Sequence, residues 1–150
     1  MPPPGAQLSL KGRALRLLAN REHSRAELER KLAPHEEEPG QLRRVLDELQ
    51  AKGFIDEQRF VDSVLHRRAS RLGASRIRQE LQGKGVPAAL IADAVTHLKA
   101  TEVQRAREVW QRRFGVVPAD AQERARQARF LAARGFGGDA IRRVLNADDD

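Results

Sequence analysis

Eleven arginines, Arg13, Arg16, Arg21, Arg67, Arg68, Arg71, Arg78, Arg107, Arg113, Arg129 and Arg134, have no acidic residue three or four positions away. Those positions are neighbours on a helix, so nothing local neutralises these groups. A guanidinium carries a planar fork of donors that matches phosphate and carboxylate, and anion recognition is the chemistry this set could perform. Four of the eleven fall between residues 67 and 78. The candidate partner-binding residues are therefore Arg67, Arg68, Arg71 and Arg78, joined further on by Arg107, Arg113, Arg129 and Arg134. Other cations look locally paired: Arg25 with Glu22 and Glu29, Lys31 with Glu27, Arg112 with Glu108, Arg124 with Asp120, and Arg142 and Arg143 with Asp139. That pattern reads as ordinary solvated helix surface.

Catalytic patterns are missing. The chain has no P-loop, dinucleotide fingerprint or nucleophile elbow. It has no cysteine, which removes thiol nucleophiles and Cys-based zinc sites. His23, His35, His66 and His97 lack the i, i+4 pairing of a metal site and read as surface or helix-end residues. The carboxylates are scattered among basic neighbours and read as helix caps and surface pairs. Neither an enzyme nor a cofactor is expected. Lys and Arg number 28 against 21 Asp and Glu, and the surplus of +7 makes a polyanion or an acidic protein surface the natural partner. Trp110 falls in register with Val103, Ala106 and Phe114, which places it in a core rather than on a base-stacking surface. No stretch of 18 apolar residues occurs, and no basic region precedes an apolar run at the start. The expectation is a soluble, monomeric, cytoplasmic protein.

The elements that must carry these arginines are helices. Ala, Leu, Glu, Gln and Arg dominate, no alternating Val/Ile/Thr run offers a strand, and the class is all-α. A Pro-rich tail occupies residues 1–8. The first helix starts at Ser9, and Ser24 with Glu27 forms a capping box for the second, which Pro34 ends. Pro39 opens the third, and Gly53 stops it with Phe54 folding back onto the last turn. Asp56 caps the fourth, which carries Phe60 and closes at Gly73. Ser75 caps a short fifth helix with Ile77 and Leu81 inward, ended by Gly83 or Gly85. Pro87 begins the sixth, Gly115 stops the seventh, Asp120 with Glu123 caps the eighth and Gly135 halts it. The ninth spans Asp139 to Asn146, before an acidic end at 148–150.

Leu81, Lys84, Gly85, Val86, Ile91 and Val95 recur as Leu131, Arg134, Gly135, Phe136, Ile141 and Leu145, each 50 positions later. The nine helices thus fall into three sets, 9–55, 56–100 and 101–147. A set of that size buries little apolar surface alone, so the sets should stack as a curved, elongated, solenoid-like array. The first set departs from the pattern, with Pro34, His35 and three glutamates where the others place a basic residue and Gly.

The order SRAELERKL, then LDELQAKGFIDEQRFVDSVLHRRASRLGASRIRQELQGKGV, then ARFLAARGFGGDAIRRVL resembles the RecX family of recombinase regulators. The match covers nearly all of residues 10–146, and its most specific part is GFIDEQRFVDS followed by Gly73, Ile77, Leu81 and Gly85 at four-residue spacing. The resemblance implies tandem three-helix repeats, binding to RecA nucleoprotein filaments, and inhibition of filament growth, ATP hydrolysis and strand exchange. It implies structural roles for Phe54, Asp56, Phe60, Gly73, Ile77, Leu81 and Gly85. The residues themselves leave a second reading open, a helix-turn-helix module acting on DNA directly, for which the helix around Arg76, Arg78, Gln79 and Gln82 would be the reader.

Overall fold

The computed structural model describes residues 8–146, and among them every regular element is helical. In chain order these are α1 (Leu10–Asn20), α2 (Arg25–Leu32), a 3-10 turn (Ala33–His35), α3 (Gln41–Ala51), α4 (Glu57–Arg68), α5 (Ala74–Gly83), α6 (Ala88–Ala100), α7 (Glu102–Arg113), α8 (Ala121–Ala133) and α9 (Gly138–Leu145). The expected tails lie outside the described residues, apart from Leu8.

Local chemistry sets most of the helix ends. The Ser9 hydroxyl accepts from the Gly12 amide. Ser24 and Glu27 form the reciprocal capping box. Asp56 and Asp120 accept from the amides of Arg59 and Glu123. Gly53, Gly85, Gly115 and Gly135 follow helix ends with positive φ. Three boundaries differ from expectation, and so does the placing of Phe54. Gly40, at φ +85°, precedes α3, so Pro39 sits in the preceding turn. Gly73 does not close α4, which ends at Arg68; it starts α5, and Ser75 lies inside that helix. Phe54 folds back through its backbone, its amide donating to the Leu49 carbonyl at 2.9 Å, but the residue is 48% exposed. Ile55, 1% exposed, fills the space instead.

Each set of three helices has its own apolar core. Leu10, Leu28, Leu46 and Leu49 anchor the first; Phe60, Val64, Ile77, Leu81 and Leu98 the second; Ala106, Trp110, Leu131, Phe136 and Ile141 the third. Polar contacts join the cores, and they repeat. The C-terminal end of α5 meets the N-terminal end of α2, where the Ser24 hydroxyl donates to the Lys84 carbonyl at 2.6 Å and Lys84 Nζ reaches Glu27 at 3.1 Å. The C-terminal end of α8 meets the N-terminal end of α5 in the same way, with the Gly73 amide donating to the Arg134 carbonyl at 2.8 Å. At both junctions a glutamate that opens the following repeat accepts from the first amide of the middle helix: Glu57 from Arg25 at 2.8 Å, and Glu102 from Ala74 at 2.7 Å. Carboxylates thus meet helix N-termini, where the backbone dipole favours them.

Buried polar groups tie these junctions. His23 is 2% exposed rather than on the surface, with Nδ1 3.0 Å from the Arg21 carbonyl and Nε2 3.2 Å from Lys31 Nζ. Arg105, 8% exposed, donates to the carbonyls of Ala69, Leu72 and Leu98 at 2.9, 2.6 and 2.8 Å. One side chain therefore satisfies the carbonyls left over beyond α4 and near the end of α6.

Candidate anion-binding cleft

The segment from Ala69 to Gly73, which carries Arg71, is held from the third repeat at almost every turn. Arg105 takes the Ala69 and Leu72 carbonyls, Arg112 Nη2 takes the Ser70 carbonyl at 2.8 Å, and Gly73 is bound to Arg134. Arg71 itself is exposed and pairs with no described residue. A segment so pinned loses little further entropy when its side chain meets a ligand.

Facing Arg71 across the junction are Arg112 and Arg113 from the end of α7 and Arg134 just beyond α8. With Val109 and Phe130 they line a cleft of about 230 Å³. No acidic residue belongs to the lining. Phe130 and Phe114 meet edge to face, their centroids 5.4 Å apart. The guanidinium of Arg113 lies 5.2 Å from the Phe114 centroid and 5.4 Å from that of Phe130, and Arg134 lies 4.9 Å from Phe130. These stacked arginines are oriented by ring faces and not by carboxylates, so their charge stays available. Four guanidinium groups over an apolar floor can take an anionic group through paired donors, with lower desolvation cost than an ammonium would bear.

The structure thus brings Arg71, Arg113 and Arg134 together and separates the other candidates. Arg78 lies on a different groove, against α6. Arg67 and Arg129 are exposed on α4 and α8 without a described partner. Arg68 is not free: its Nε lies 3.2 Å from Glu80 Oε1, an ion pair whose geometry falls short of a hydrogen bond. Arg107 and Arg13 also have partners. Arg21 makes a two-pronged contact with Glu27, at 3.2 and 2.7 Å. Arg112 is masked in the sequence by Glu108 four positions before it, yet Glu108 accepts from Gln104 and Arg112 turns to Ser70. Local spacing misassigns other cations too. Lys31 approaches His23, Arg124 donates to Asn146, and Glu22 takes Arg59 rather than Arg25. Arg25 with Glu29, and Arg142 and Arg143 with Asp139, pair as their spacing predicts.

Among the described residues no group of three or more His, Cys, Asp or Glu side chains is placed to hold a metal ion. No helix there is long and apolar enough to cross a membrane. Trp110 is buried, as its register predicts, with Nε1 donating to Gln127 Oε1 at 2.8 Å.

Three family models match the chain in order: the first, second and third three-helix domains of RecX, over residues 11–49, 56–95 and 100–145. The chain belongs to the RecX family. The chain is 62% identical over 143 residues to the regulatory protein RecX of Leptothrix cholodnii, covering 95% of this chain and 91% of that one. It is 47% identical over 146 residues to the regulatory protein RecX of Ralstonia nicotianae, covering 97% and 92%. The crystal structure of RecX from Lactobacillus salivarius superimposes with a TM-score of 0.73 at 18% identity, covering 91% of this chain and 92% of that one. The all-helical architecture of three tandem three-helix repeats is therefore that of a regulatory protein family. The signature residues Phe60, Ile77 and Leu81 are core, Asp56 is a helix cap, and Gly73 and Gly85 lie at the repeat junctions.

Proposed function

We propose that the chain is a negative regulator of the RecA recombinase. It binds RecA nucleoprotein filaments and inhibits their growth, ATP hydrolysis and strand exchange, acting without catalysis as a cytoplasmic monomer. The observation that carries this reading is the cleft of Arg71, Arg112, Arg113 and Arg134, cationic and without an acidic residue, at the junction of the second and third repeats. An elongated array with several weak anion contacts gains avidity on a polymeric partner, because each contact raises the effective concentration of the next.

The test is a titration of purified protein to and beyond equivalence with RecA, reading DNA-dependent ATP hydrolysis and strand exchange. Wild type inhibits both. The double variant Arg71→Glu, Arg113→Glu, with its thermal unfolding unchanged, loses that inhibition. Inhibition surviving in the folded variant would reject the cleft, and inactive wild type would reject the function.

A second reading rests on the same cleft, since four guanidinium groups suit phosphates as well as carboxylates. In it the chain acts as a helix-turn-helix module on naked DNA. Steeply salt-dependent DNA binding with no effect on RecA would favour it.

A further inference from the structure

A second concavity lies on the middle repeat, away from the arginine cleft. Between α5 and α6 a groove of about 500 Å³ is lined by Arg78, Gln82, Val86, Ala88, Ile91, Ala92 and Val95. Its floor is aliphatic. Along α6 the lining positions 88, 92 and 95 recur at helical spacing, so the groove runs beside two turns of that helix.

The third repeat shows what the groove lacks. Fifty positions on, Val86 corresponds to Phe136, Val95 to Leu145 and Ala92 to Arg142. Phe136 and Leu145 are 4% and 2% exposed within the third core. The same framework thus accepts larger side chains at these positions, and the smaller ones of the second repeat leave room for something else.

The rim specifies what that is. Arg78 is exposed and pairs with no described residue. The nearest acid along α5, Glu80, is taken by Arg68. A ligand therefore needs apolar groups for the floor and a carboxylate for Arg78. Nucleic acid fits poorly, because the floor has no aromatic ring for base stacking and the rim one cation. An extended peptide fits poorly too: no strand edge exists among the described residues to satisfy its backbone. A helix satisfies its own backbone and presents side chains one turn apart.

We propose that this groove binds an acidic amphipathic helix of a protein partner, its apolar side chains lying on Val86, Ile91 and Val95 and a carboxylate pairing with Arg78. The proposal does not rest on the arginine cleft, and its test is separate.

A fluorescein-labelled, hydrocarbon-stapled helical peptide of about 15 residues, with Leu at i, i+4 and i+7 and Glu flanking them, is titrated with the full chain by fluorescence anisotropy. Saturable binding is expected. Val86→Phe with Val95→Leu, borrowed from the third repeat, weakens it at least about tenfold, and Arg71→Glu leaves it unchanged. Arg78→Glu weakens it similarly but improves binding of a peptide carrying Lys for Glu. Absence of saturable binding to wild type overturns the proposal. So does full affinity in the filled variant, once its thermal unfolding shows it folded. If that variant does not fold, the Arg78→Glu charge swap decides alone, and failure of the swap overturns the proposal.

Discussion

The Gly73 amide donates to the Arg134 carbonyl at 2.8 Å, and the next residue, Gly135, closes against the same turn. A Cβ on Gly73 would collide with the Gly135 carbonyl, and one on Gly135, at φ +91°, with the side chain and backbone of Arg76. Gly73→Ala and Gly135→Ala should each cost about 2–4 kcal/mol in urea unfolding. Gly83 is the contrast, since a Cβ there would meet nothing within 4 Å and its φ is ordinary. Gly83→Ala should be neutral or stabilise by up to about 1 kcal/mol.

Arg105 serves three carbonyls from two helix ends. Burial lowers its pKa, while Glu102 and Glu108 oppose the shift. Arg105→Met keeps much of the volume and leaves the carbonyls unsatisfied, at a cost of about 3 kcal/mol. Measured destabilisation below about 1 kcal/mol would mean water replaces the guanidinium readily.

Acid should loosen the junction of the first two repeats in two stages. Burial, then the nearby charges of Arg21 and Lys31, lowers His23 from 6.5 despite its bond to the Arg21 carbonyl. Burial alone would raise Glu27, but Arg21, the Ser24 amide and Lys84 outweigh it and hold the carboxyl at about 2. In both cases the unfolded chain binds the proton first, so stability falls with pH, below 6.5 through His23 and from 4.5 towards 2 through Glu27. Burial raises Glu57, whose contribution has the opposite sign. In denaturant midpoints taken across pH, Glu27→Gln should show a shallower fall than wild type below pH 4.5. An unchanged slope would remove Glu27 from the account.

Gln127, 2% exposed, accepts from Trp110 and donates to the Val116 carbonyl. Gln127→Leu strands a buried indole N–H and should cost about 1–3 kcal/mol. Trp110 is the chain's one tryptophan, so its fluorescence reports the unfolding of this repeat directly.

Within repeats, the fold is legible in the sequence because its signals are local. Ser9, Ser24, Asp56 and Asp120 each cap the residues next to them, and the 50-residue recurrence places Gly85 and Gly135 alike. Contacts between repeats are not legible. Ser24 meets Lys84 across 60 positions and Arg112 meets Ser70 across 42, distances over which helical periodicity carries no information. For that reason local spacing singles out Arg71, Arg113 and Arg134 but passes over Arg112, and it retains Arg68, whose acid lies on another helix. Phe54 fails for a different reason: a turn that reverses the chain offers its inward position to one of two successive residues, and Ile55 takes it.

Each middle helix lays its C-terminal end against the N-terminal end of the one before, from α8 through α5 to α2. The three middle helices are therefore linked in series, carbonyl end to amide end. The array has a sense, as an arrow does: one extremity shows the amides of α8 under the Asp120 cap, and the other the carbonyls of α2. Turned end for end it is a different object, and a partner with a direction of its own would be met in a single orientation.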